Sequence, residues 1–176
     1  MSIEKITAQI KKQGGTIPPV ELWNPDYCGE MELQIKANGD WYYAGTIFKR
    51  VSLVKLLSSV LKKEEDEYFL VTPVEKLKIT VDDAPFVLTQ WHWQDENKKT
   101  MMVSNNVGDE FVLDANHPIT LNANGELYVT VRRNLLAKVH RNIYYQWIDL
   151  AEETKTEKGT ELVFTSSSCQ FSLGIL

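Results

Sequence analysis

Asp82 and Asp83 stand near the end of the segment Tyr68 to Phe86, which reads YFLVTPVEKLKITVDDAPF. Neighbouring carboxylates can hold a divalent cation or divide the work of acid and base. Adjacent residues on a strand point to opposite faces, so this pair converges only where the chain bends. Pro85 makes a bend nearby plausible. A calcium loop needs carboxylates at alternate positions and a glycine, and these are missing. The plainer reading is a charged turn between two strands. Glu75 and Lys76 sit between two strand runs. Together with Arg50, Asp82 and Asp83 they make a candidate polar rim for a bound ligand. Read instead as a surface ion pair, Glu75 and Lys76 contribute ~0–1 kcal/mol.

Other catalytic constellations are sparse. His92, His117 and His140 are the only imidazoles. His92 lies between Trp91 and Trp93 and faces away from both, His117 precedes Pro118 at a turn, and His140 adjoins Arg141. All three read as structural or solvent-exposed. No GxSxG elbow occurs, and Ser166-Ser167-Ser168-Cys169 has no activating base in sequence. Cys28 and Cys169 are far apart and read as free buried thiols, and no Cys or His pair has zinc-site spacing. Gly14-Gly15 and Gly29 fit neither phosphate-loop pattern. No catalytic set, cofactor or metal is therefore expected. Five Trp and seven Tyr can line a sugar or peptide groove, or serve as core and hairpin pairs.

Composition narrows the partners. The 176 residues suffice for one substantial core or two small ones, and 43% apolar with 24% charged residues is the balance of a soluble globular protein. Nineteen basic against 24 acidic residues leave a formal charge of −5. That disfavours a nonspecific grip on nucleic acid or adhesion to an anionic membrane surface. No apolar run approaches the ~20 residues that span a bilayer. The opening MSIEKITAQIKK lacks the apolar centre of a secretory signal. A cytoplasmic location is expected.

The elements that must position these residues are mostly strands. A thin apolar stripe, Ile3, Ile6 and Ile10, predicts a helix over residues 3 to 12, stopped by Gly14-Gly15. Pro18-Pro19 then enforce an extended segment anchored by Val20, Leu22 and Trp23. Met31, Leu33 and Ile35 alternate with Glu32, Gln34 and Lys36, and Asn38-Gly39 turns the chain into Trp41-Tyr42-Tyr43. Leu53, Leu56, Leu57, Val60 and Leu61 follow the helical period, and Lys62 to Asp66 reads as a solvated turn. Further strands are expected at Glu67 to Val71, Leu77 to Val81, Phe86 to Trp93, Lys99 to Val103 and Glu110 to Leu113. Past Asn124-Gly125, a short helical stretch is expected around Leu135 to Val139. Strands at Ile143 to Leu150, Thr160 to Phe164 and Cys169 to Leu173 follow, with Glu152 to Gly159 as a polar turn.

Asn124-Gly125-Glu126-Leu127-Tyr128 echoes Asn38-Gly39-Asp40-Trp41-Tyr42 at a displacement of 125 − 39 = 86 positions. Each is followed by arginine, a helical stretch and an aromatic strand, which reads as an internal repeat of hairpin, helix and strand. The fold expected is α+β, mainly antiparallel, with two related β-rich subdomains and an N-terminal helix. The turn Asp95-Glu96-Asn97 sets the expected division: residues 1–17 as helix and linker, 18–95 as an α+β subdomain, and 96–176 as a mainly β subdomain.

Several blocks carry a family resemblance over about residues 18 to 174. They are Cys28-Gly29-Glu30-Met31, Asn38 to Gly45, Phe69 to Lys76 and Val81 to Phe86, followed by Gly108-Asp109-Glu110, His117-Pro118, Tyr144-Tyr145 and Phe171 to Gly174. In these the chain resembles the uncharacterised bacterial proteins of the domain of unknown function 1285 family. The resemblance implies a two-part, mainly β fold with repeated motifs and a role in signalling or ligand sensing. It carries over no activity and no catalytic residues. Relatives tend to carry a GxPI element after the first hairpin, whereas Gly45-Thr46-Ile47-Phe48 stands here, with Ile47 in place of proline.

The function expected from these readings is a non-enzymatic binding module. It would hold a small ligand or partner peptide in a groove between the subdomains, with Arg50, Glu75, Lys76, Asp82 and Asp83 as its rim. Two alternatives stand beside it: a metal-assisted hydrolase using Asp82, Asp83 and His117, and a structural subunit of a larger assembly.

Overall fold

The computed structural model describes residues 3–12 and 17–176, and of Cys28 the backbone alone. The helix stop expected at Gly14-Gly15 lies outside the described residues. Two compact units divide the chain, Met1–Asp83 and Ala84–Leu176. The boundary expected after Asp95 falls inside the second unit. Phe86, Val87 and Leu88 are buried, so the strand that follows the first unit already belongs to the second core. No helix among the described residues is long and apolar enough to cross a membrane.

The first unit runs α1 (Ile3–Lys11), a 3-10 turn (Val20–Leu22), β1 (Tyr27–Ile35), β2 (Trp41–Tyr43), β3 (Thr46–Ile47), α2 (Val51–Ser58), β4 (Leu61–Glu64), β5 (Glu67–Val71) and β6 (Lys76–Val81). Its six strands lie in the order β3-β2-β1-β6-β5-β4. The central pair β1 and β6 is parallel, and the other neighbours are antiparallel. Met31, Leu33 and Ile35 are buried as the alternation predicts, and Gly39 takes φ +93° in the expected Asn-Gly turn. α1 packs against α2, and Ile6, Ile10, Val54 and Leu57 are buried there.

α2 ends at Ser58, short of the expected Leu61. The Ser58 hydroxyl donates to the Lys55 carbonyl and that of Ser59 to Leu56, occupying the carbonyls of the last turn. Leu61 then pairs with Leu70, which makes Lys62 to Glu64 an edge strand instead of a solvated turn.

The second unit runs β7 (Phe86–Trp93), β8 (Met101–Asn105), β9 (Glu110–Val112), β10 (Ile119–Leu121), β11 (Leu127–Arg132), β12 (Leu135–Val139), α3 (Arg141–Leu150), β13 (Glu152–Thr156), β14 (Gly159–Ser166) and β15 (Cys169–Ile175). One sheet has the order β10-β11-β12-β7-β8-β9 and a second is the meander β13-β14-β15. Ser166 ties the two together. It is fully buried, its Oγ accepts from Met101 N and donates to the Leu113 carbonyl, and Ser167 N donates to Lys99 O.

Four expectations are corrected here. Leu135 to Val139 is a strand. Leu135, Ala137 and Val139 are buried in alternation, and Ala137 pairs in parallel with Phe86. Ile143 to Leu150 is a helix. His140 Nδ1 caps its start by accepting from Asn142 N, and Ile143 and Trp147, one turn apart, are both buried. Packing Trp147 on Phe164, with centroids 5.2 Å apart, outweighs the strand preference of Tyr, Ile and Trp. Glu152 to Thr156 is an exposed edge strand paired with β14, not a turn. Cys169, expected buried, is a half-buried free thiol.

The two six-stranded sheets share one topology: β1 to β6 map in order onto β7 to β12. The first strands begin 86 − 27 = 59 positions apart, and the last 135 − 76 = 59. The order hairpin, helix, strand recurs, as β1–β2, α2, β4 and as β10–β11, α3, β13. The Asn-Gly echo at 86 positions nevertheless joins unlike places: Asn38-Gly39 links the first and second strands of one sheet, Asn124-Gly125 the fourth and fifth of the other.

A sharper signature lies in side chains. Phe69 pairs across strands with Lys78, whose Nζ lies 2.7 Å from Glu67. Tyr128 pairs with Lys138, whose Nζ lies 2.8 Å from Glu126. The displacements are 59, 60 and 59 positions.

Candidate functional site

The five residues of the expected rim do not gather in one place. Glu75 and Lys76 lie at the start of β6, while Asp82 and Asp83 follow its end; six strand residues separate Lys76 from Asp82 by about 20 Å. Arg50 is the exposed N-cap residue of α2 and makes no side-chain capping bond.

Lys76 is a packing residue. Its ammonium bonds Glu64 Oε2 and sits 4.5 Å from the Phe69 ring centroid. The Lys76 bond, aided by Lys62 and opposed by partial burial, holds the Glu64 carboxyl below its ordinary value. Glu75 is 8% exposed, with Oε1 at 3.6 Å from Lys5 Nζ, and its backbone N donates to Thr72 Oγ1.

The two aspartates also part company, in the bends that follow β6. Asp82 Oδ1 accepts from Gln34 Nε2 at 2.7 Å, and Asp82 N donates to Ile35 O. Asp83 acts on Tyr68, whose phenol is pushed above its ordinary value by burial first and then by the carboxylates of Asp83 and Asp66. His117 has a local partner, its Nδ1 lying 3.1 Å from Asp114 Oδ1 and its ring against Phe111. Among the described residues no group of three or more His, Cys, Asp and Glu is arranged to hold a metal ion.

What the first sheet does assemble is a cleft of about 200 Å³, lined by Glu32, Leu33, Gln34, Tyr42, Ala44, Gly45 and Thr80. The register explains it. Gln34 pairs with Tyr42 on one side and with Thr80 on the other, so the three side chains stand abreast on the outer face. Leu33 and Ile35 point the opposite way into the core. Glu32 lies two residues along β1 from Gln34, on the same face. Opposite it the two-residue turn Ala44-Gly45 joins β2 to β3, with φ +48° and +80°. A methyl group at Gly45 would meet nothing within 4 Å, so the wall is low there.

Asp82 acts at this cleft indirectly. By engaging one N–H of Nε2 it holds the Gln34 amide and leaves Oε1 available as an acceptor. Lys36 Nζ lies 5.6 Å from the Tyr42 ring centroid. Glu32 has no side-chain hydrogen bond or ion pair among the described residues. Of the expected rim, then, Asp82 alone touches this cleft's lining, through Gln34. The outward alternation of Glu32 and Gln34 was visible in sequence. The lateral pairing that sets Thr80 beside them was not, because β6 reaches β1 in parallel after a crossover of some 40 residues, and no local pattern marks such a neighbour.

Family models cover both units. The N-terminal domain of the domain of unknown function DUF1285 matches residues 18–84, and the C-terminal domain of the protein of unknown function DUF1285 matches residues 85–173. A crystal structure of a DUF1285 family protein from Silicibacter pomeroyi DSS-3 is similar at 34% identity, covering 97% of this chain and 95% of that one, with a TM-score of 0.82. A second, from Shewanella baltica OS155, is similar at 31% identity over 68% of this chain and 91% of that one, with a TM-score of 0.57. No curated protein matches the chain.

Proposed function

The chain belongs to the DUF1285 family, and we propose that it is a non-enzymatic binding protein whose N-terminal unit holds a small ligand or a partner's side chain on the outer face of its sheet. The observation that carries this reading is the cleft beside Gln34, where a carboxylate, an amide and two hydroxyls converge and Asp82 holds the amide in place. A pre-oriented polar group in a concave site favours recognition, because little rotamer freedom is left to lose on binding. No hydrogen bond joins the Tyr42 or Thr80 hydroxyl to the Glu32 carboxylate, so the reading stops at binding. Signalling by ligand sensing is compatible with this role.

The reading is tested by amide NMR with a fragment library against the wild-type protein and Thr80→Trp. The indole fills the cleft from an exposed strand position. Ligands should shift the amides of residues 32–34, 42–45 and 80 in the wild type and leave them unmoved in the variant, with the melting temperature preserved. Shifts that persist in Thr80→Trp place recognition elsewhere. Metal-dependent turnover of chromogenic esters by the wild type would favour the hydrolase reading instead.

A further inference from the structure

We infer that the cleft takes a primary ammonium group carried on a short alkyl chain. This rests on the binding reading above and narrows it to one ligand chemistry.

The lining is rich in acceptors. Glu32 contributes a carboxylate with no partner of its own among the described residues. Gln34 offers its Oε1 as an acceptor, since one N–H of its Nε2 is committed to Asp82. Thr80 Oγ1 and the Tyr42 hydroxyl accept as readily as they donate. An ammonium carries three donors and no acceptor, so the carboxylate, the amide oxygen and one hydroxyl can each receive one of its protons. Charge points the same way: Glu32 is the ionised group in the lining. An anion would face Glu32 with no lining cation to receive it. An apolar group would desolvate the amide and carboxylate without replacing their hydrogen bonds. Size also decides: about 200 Å³ is below the span of drug-sized pockets and fits an aminoalkyl end. Ala44 and the Tyr42 ring offer the apolar contact for its methylenes.

Two sources share this chemistry, a free alkylamine and a lysine side chain of another protein. Isotope-labelled full-length protein is titrated at constant ionic strength with n-butylammonium, butyrate, butyramide and Nα-acetyl-lysine methylamide, following the amides of residues 32–34, 42–45 and 80. Butylammonium should give saturable shifts confined to these residues, and Glu32→Gln should weaken it about tenfold, the loss of one charge-assisted bond. Glu32 is exposed, so the variant should keep the wild-type melting temperature. Tighter binding of the lysine derivative than of butylammonium identifies a protein lysine as the source, and equal binding a free amine. If butyrate or butyramide saturates the cleft and butylammonium does not, the ammonium assignment falls while the binding cleft stands. If butylammonium binds the wild type and Glu32→Gln equally, the assignment also falls. If none of the four moves these amides, both readings fall.

Discussion

The two six-stranded sheets are built to one plan and end differently. In the first, β6 stays beside β1 from Lys76 to Val81, and Asp82 extends the pairing by donating to Ile35 O. In the second, β12 stays beside β7 only from Ala137 to Val139; His140 donates to Leu88 O and then caps α3. The long parallel pair leaves three strands abreast on the first sheet, which is where Glu32, Gln34, Tyr42 and Thr80 meet. In the second the chain leaves the sheet at the corresponding point, and α3 packs on β7 and β14. A shared topology fixes which strands are neighbours, but the length of the shared pairing decides whether an open polar face results.

The comparison can be broken first at what each unit buries beside its sheet. Trp147→Ala on α3 should cost about 3–5 kcal/mol and Ile6→Ala on α1 about 2–5 kcal/mol, both from cavities at fully buried sites. Hydrogen exchange should show the first loss of protection in β7 and β14 for Trp147→Ala and in α2 for Ile6→Ala. Loss spread evenly over both sheets in either variant would contradict units with separate cores.

Next come the helix starts. α3 has a side-chain cap and α2 has none. His140→Ala should destabilise by about 1 kcal/mol, whereas Arg50→Ala should change little and Arg50→Asp should stabilise by about 0.5–1 kcal/mol, since a carboxylate at that place both caps and meets the helix dipole. Urea midpoints measure all three. Equal losses for the two alanine variants would mean that the His140 contact does not stabilise α3.

The smallest effect sharpens the duplication. Glu64 is held below its ordinary value chiefly by Lys76, and Glu126 chiefly by Lys138. A depressed carboxylate contributes stability that is present above 4.5 and lost as pH falls through the lower folded value. Lys78 is raised by Glu67, so its contribution is full below 10.5 and lost at higher pH. Each unit should therefore give up a little stability as pH falls below 4.5, and Lys76→Met and Lys138→Met should each flatten that loss. The effects stay small because water still reaches and screens these half-buried pairs. An acid loss unchanged in both variants would assign it to other carboxylates.

Much of the fold could be read from the chain. Alternation at Met31 to Ile35 and at Leu77 to Val81, the Asn38-Gly39 turn and the Leu53 helix all rest on contacts within a few residues, which local spacing encodes. The rim is less legible, because residues close along the chain flank the two ends of β6, about 20 Å apart. The Lys62 to Glu64 edge, the α3 helix and the β12 strand needed partners distant in sequence: Leu70, Phe164 and Phe86.

By itself the chain determined a mainly β protein of α+β class with an acidic balance. Those properties follow from composition and from periods of two and 3.6 residues. Only the tertiary structure decided that the halves repeat every 59 positions and that Thr80 stands beside Gln34. Parallel pairing across a long crossover leaves no trace in local pattern, because the free energy that selects it comes from burying Leu33, Ile35, Leu77 and Ile79 on the opposite face of the same strands.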